Sequence, residues 1–72
     1  MFMTKLGLYL AKKSINKAEV SRKTGISKSR LSQLSSNETT KLRADELYAI
    51  SLAIDVDPCE VLKELYSDLQ IG

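Results

Sequence analysis

Asn16–Leu34, read as NKAEVSRKTGISKSRLSQL, decides the fold of this 72-residue chain. Asn16 is a strong helix N-cap, and Glu19, three residues on, completes the pattern of a capping box. Helix-compatible residues continue to Thr24. Gly25 then stands where a left-handed C′ residue ends a helix, a conformation glycine takes without a Cβ clash. Ser27 is a second N-cap, and the spacing predicts a second short helix over Lys28–Ser35. The apolar positions are sparse: Val20, Ile26, Leu31 and Leu34. Leu31 and Leu34 lie three apart and share a helix face. So short a linker makes the two helices cross steeply. That is the geometry of a helix-turn-helix unit, whose second helix enters the major groove of DNA.

The flanking sequence supplies three more helices. Helix 1 is expected over Thr4–Lys13, with Leu6, Tyr9 and Leu10 inward. Gly7 weakens it by about 1 kcal/mol relative to Ala unless a neighbour packs there. Ile15 should plug the core. Lys12 and Lys13 suit the C-terminal dipole, either solvated or near a phosphate. Ser36–Leu42 is a polar loop, with Asn37 expected in a left-handed turn. Helix 4 is expected over Arg43–Ile54, with Leu47, Ile50, Ala53 and Ile54 inward and Asp45 and Glu46 in its first turn. Asp57, Pro58 and Glu60 mark the start of helix 5, which should run to Leu69, stapled by Val56. Its stripe of Val61, Leu62, Leu65, Tyr66 and Leu69 either closes the core or, through Leu65, Tyr66, Leu69 and Ile71, forms a homodimer seam. The expected fold is all-α, a single five-helix domain over residues 1–72.

Charge is polarised along the chain. Met1–Arg43 carries ten Lys or Arg against two acids, a net of +8, whereas Ala44–Gly72 carries one Lys against seven acids, a net of −6. Such a chain can present one face to a polyanion and keep the other away. No apolar run approaches the roughly 20 residues of a membrane span, and no signal peptide is evident. Cys59 is the single cysteine, so no internal disulfide forms and a reducing cytoplasm fits. It should be a small, mostly buried filler rather than a redox switch. The chain has no histidine, no glycine-rich phosphate loop and no metal-ligand cluster, which argues against an enzyme, a metal site or a cofactor.

Two blocks resemble a known family. AEVSRKTGISKSRLSQL (Ala18–Leu34) is similar to helix 2, the turn and the recognition helix of lambda-repressor-like domains of the Xre or Cro type. LYAISLAIDVDPCEVL (Leu47–Leu62) is similar to helix 4 and the start of helix 5 of the same family. The family includes phage repressors, antitoxins and restriction controllers. There are departures. Lys17 stands where Gln is usual at the start of helix 2, and Ser21 replaces the usual Ala at the helix crossing. Ser35 and Asn37 occupy the sites of an acid and a Gly turn. The Arg of helix 1 that commonly pairs with that acid gives way to Leu10, so both partners are lost together and no orphan buried charge remains.

The resemblance implies sequence-specific binding of double-stranded DNA by a transcriptional regulator, a repressor or an autoregulating antitoxin. Ser27, Lys28, Ser29 and Gln33 match positions that usually reach base edges. Their chemistry suits base reading, since Gln pairs with adenine, Lys donates to guanine, and Ser does either. Arg30 is long enough for a base or a phosphate. Phosphate contacts are expected from Asn16, Lys17, Thr39, Thr40, Lys41 and Arg43, at helix N-termini and in the flanking loop; Arg22 is a further candidate or a solvent-facing charge. The partners implied are an operator-like DNA, a second copy through helix 5 and, for an antitoxin, a toxin protein. The competing reading is a protein-interaction module with little or no DNA binding. Such a module has no reason to gather its positive charge around helices 2 and 3.

Overall fold

The computed structural model describes residues 3–71. Five helices follow in order: α1 (Lys5–Lys12), α2 (Lys17–Thr24), α3 (Lys28–Ser36), α4 (Ala44–Ala53) and α5 (Pro58–Tyr66). Every N-terminus is set by a side chain close by in sequence. Thr4, Asn16, Ser27 and Asp57 each accept a backbone N–H of the first turn, and Pro58 takes the first position of α5. Arg43 has no side-chain acceptor, and Glu46 supplies the bond instead, its Oε1 accepting from Arg43 N–H at 2.9 Å.

Three of the five helices close through a left-handed residue. Gly25 closes α2 at φ +80°, in the left-handed region. α1 and α4 close without glycine, with Ser14 at φ 56° and Asp55 at φ 62°. Both ends are Schellman motifs. Ile15 N–H reaches Leu10 O and Ser14 N–H reaches Ala11 O; Val56 N–H reaches Ser51 O and Asp55 N–H reaches Leu52 O. In each, the apolar residue after the turn, Ile15 or Val56, packs on the core.

Leu6, Tyr9, Leu10, Val20, Leu31, Leu34, Leu47, Ile50, Val61 and Leu65 form one buried cluster, with Ile26, Leu42, Ala53 and Ile54 against its margin. α1 packs on α3 and α5, α2 on α3 and α4, and α4 on α5. α1 meets α3 at its backbone. Thr4 N–H donates to Ser35 O at 2.9 Å, and the Thr4 hydroxyl donates to Leu34 O at 2.6 Å. The N-terminus of α1 thus satisfies carbonyls that the C-terminus of α3 would otherwise leave open. Gly7 is the neighbour-packed glycine: a Cβ there would fall 2.1 Å from Ser35 O.

Several expectations are corrected. α5 stops at Tyr66 rather than Leu69, and Leu69 and Ile71 are exposed. Leu65 belongs to the core and is not available to a seam. Asn37 is extended at φ −115°, not left-handed; it makes the turn with its side chain, which accepts from Thr39 N–H and Oγ1–H. Cys59 is exposed rather than filling the core. Glu19 does not return to cap Asn16 but pairs with Arg22 one turn on.

Candidate nucleic-acid interface

α3 has little apolar surface to hold it. Leu31 is fully buried, Leu34 and Ser35 nearly so, and the Ser35 hydroxyl donates to Leu31 O. Lys28, Ser29, Ser32 and Gln33 point outward and are exposed. The backbone of α3 lies close to α1 and α2, and neither α4 nor α5 approaches it as closely. Ser27, also exposed, uses its hydroxyl oxygen to accept from Arg30 N–H at 3.1 Å, which caps the start of the helix.

The phosphate candidates border α3 through two grooves. Lys17 lines one with Ser35 and Ser36; Thr40 and Lys41 line the other with Leu34 and Leu42. Asn16 Oδ1 accepts from Ala18 and Glu19 N–H, which leaves its amide donor for an anion at the start of α2. Among the described residues, Lys17, Lys28 and Lys41 have no carboxylate within ion-pair distance. Thr39 is committed to Asn37, and Arg43 makes an exposed pair with Asp45 that water or a phosphate can replace. Glu38, exposed on the same loop, lines the second groove beside Thr40 and Lys41.

Arg30 is placed differently from its neighbours. Its Nε donates to Glu46 Oε2 at 2.8 Å and a terminal nitrogen to Glu46 Oε1 at 2.9 Å. That terminal nitrogen also donates to Lys41 O at 2.8 Å. The guanidinium therefore faces α4 and the 37–43 loop. It holds the Glu46 carboxyl below the usual carboxylate range, although burial pushes the other way. The sequence gives no sign of this pair, because its members lie 16 residues apart on different helices. Glu46 reads locally as a first-turn acid and nothing more. Lys5 on α1 and Asp68 beyond α5 form a further exposed ion pair, between residues near opposite ends of the chain.

Among the described residues there is no cluster of His, Cys, Asp or Glu able to hold a metal, and no helix long and apolar enough to cross a membrane. No curated protein and no solved structure matches the chain. A family model described as the Cro/C1-type HTH DNA-binding domain matches residues 5–64, from the first turn of α1 to within the last turn of α5. With that match over most of its length, and with α2, the Gly25 turn and α3 at its centre, the chain belongs to the Cro/C1-type helix-turn-helix DNA-binding domains.

Proposed function

We propose that the chain is a single sequence-specific DNA-binding domain that inserts α3 into the major groove and regulates transcription as a repressor or an autoregulating antitoxin. One observation carries this reading: α3 presents Lys28, Ser29 and Gln33 to solvent with no acidic element over them. Ser27, Lys28, Ser29 and Gln33 read base edges. Asn16, Lys17, Thr40 and Lys41 grip phosphates on either side, joined by Thr39 and Arg43 once these exchange their internal partners. Of the seven acids beyond Arg43, Asp45 and Glu46 are paired with Arg43 and Arg30, and the other five lie later in the chain, from Asp55 on.

Tyr66, Leu69 and Ile71 are solvent-exposed at and beyond the end of α5, which supports pairing of two copies there and an operator with two half-sites about one helical turn apart. The half-exposed Tyr48 and Leu52 of α4 favour a second role for the acidic half, contact with a partner protein such as a toxin. A DNA-binding role and a single cysteine support a cytoplasmic site of action.

Selection of duplexes from a random pool, followed by mobility shift, tests the proposal. A recovered palindrome bound with a steep salt dependence, about −0.9 in log–log slope per phosphate contact, is the expected result. Equal binding to every duplex, or none at low salt, refutes sequence-specific recognition.

A further inference from the structure

α3 and α4 are joined by a polar strut. No Cα of α3 comes within 8 Å of one in α4. Across that gap the Arg30 guanidinium makes two parallel bonds to Glu46 and one to Lys41 O. Glu46 Oε1 also accepts from Arg43 N–H, so one carboxylate serves α3 and the start of α4 together. We propose that Arg30 is a positioning residue for base reading: with Glu46 it fixes how α3, carrying Lys28, Ser29 and Gln33, stands relative to the 37–43 loop, carrying Lys41. This rests on the DNA-binding role proposed above.

Three features support it. First, the groups match in shape. A planar fork engages a carboxylate with two bonds and has a hydrogen left for the Lys41 carbonyl, which a lysine ammonium cannot reproduce in the same geometry. Second, Glu46 is enclosed. Its side chain is 11% exposed against 33% for Arg30, so the carboxylate depends on these partners for its charge, and a phosphate approaching Arg30 has to compete with it. Third, α3 needs such a strut. Thr4 and Gly7 fix the C-terminal end of α3 against α1, whereas its N-terminal end, which carries Lys28 and Ser29, has Arg30 as its tie to the 37–43 loop and α4, and base edges discriminate only when side chains arrive within about half an ångström.

The test compares wild type, Arg30→Met, Arg30→Lys, Glu46→Gln and the Arg30→Met/Glu46→Gln double variant. The probes are the duplex that wild type selects from a random pool and a scrambled duplex of the same composition. Circular dichroism melts establish that each protein is folded. Glu46→Gln keeps side-chain volume and an acceptor for Arg43 N–H, and it carries the comparison should Arg30→Met not fold. The expected result is a selected-to-scrambled affinity ratio reduced about tenfold in all three single variants. The loss should spread over several base pairs, with the salt slope unchanged and the double variant no worse than either parent. A salt slope shallower by about 0.9 in Arg30→Met, with Glu46→Gln like wild type, would make Arg30 a phosphate contact and overturn the proposal. Loss of preference at one base pair only, again with Glu46→Gln unaffected, would make it a base reader, with the same consequence. A wild-type protein that selects no sequence overturns the DNA-reading role itself, and the strut proposal with it.

Discussion

Gly7→Ala sets two effects of known sign against each other. Alanine favours a helix interior over glycine by about 1 kcal/mol, so helix propensity alone predicts a stabilised protein. The structure predicts the reverse. An added Cβ would sit 2.1 Å from Ser35 O, 3.0 Å from its carbonyl carbon and 3.2 Å from its Cα. All three are backbone atoms of α3, so no side chain can swing aside. To restore an ordinary contact of 3.4 Å, α1 must back away from α3 by about 1.3 Å. That shift stretches Thr4 N–H to Ser35 O, now 2.9 Å, and Thr4 Oγ1 to Leu34 O, now 2.6 Å. It also opens the contact of Leu6 and Leu10 with the core.

Overpacking of this kind costs about 1–3 kcal/mol, and two weakened hydrogen bonds add about 1 kcal/mol or more. Set against the propensity gain, the net loss is about 2 kcal/mol, or roughly 10 °C in Tm for a domain of this size. Thermal and denaturant melts followed by circular dichroism measure it. Ala11→Gly, at an exposed position of the same helix, serves as the control for propensity and should lose about 1 kcal/mol by itself. A Gly7→Ala protein that melts at or above wild type would refute the close approach of α1 to α3.

Other substitutions separate the remaining roles. Gln33→Ala should relax sequence preference while Lys41→Ala weakens binding to selected and scrambled duplexes alike; equal losses on both duplexes for Gln33→Ala would remove it from the base readers. Asp55→Gly should stabilise the fold by about 1 kcal/mol, because it relieves a left-handed non-glycine residue and removes a negative charge from the C-terminal end of α4; an unchanged denaturation midpoint would count against strain at that turn. Glu46 is lowered from its ordinary value of 4.5 chiefly by the Arg30 hydrogen bond, so its contribution to stability is complete above that pH and is lost as pH falls through the folded value. The Tm advantage of wild type over Glu46→Gln should accordingly be present at pH 7 and shrink at pH 3, and a difference independent of pH would argue against a charged pair.

The helices were legible where their signals are local. Asn16, Gly25, Ser27 and Asp57–Pro58 announce ends within three residues of themselves, and the starts of α2, α3 and α5 fall where those residues place them. The inward stripe of α1 follows from spacing alone. Ser14 and Asp55 were not legible as helix stops, because a left-handed turn without glycine leaves no compositional mark; only the downstream Ile15 and Val56, packed back on the core, hint at the motif. The end of α5 was overrun because Leu69 continues the apolar period. The chain turns at Ser67 and Asp68 instead, where Asp68 meets Lys5 from the opposite end of the sequence.

What sequence spacing could not supply is how α3 is held. On the proposed reading α3 keeps one face open to a duplex and cannot bury it, and in its nine residues only Leu31 and Leu34 remain for apolar packing. Orientation then depends on contacts that cost no exposed surface. Here these are a glycine that lets α1 touch the backbone at Ser35, and an arginine that reaches Glu46 and Lys41 O from the other end of the helix. Both run between residues far apart in the chain, so neither leaves a periodic pattern. Substitutions that alter DNA reading without touching DNA should therefore cluster at Thr4, Gly7, Arg30 and Glu46.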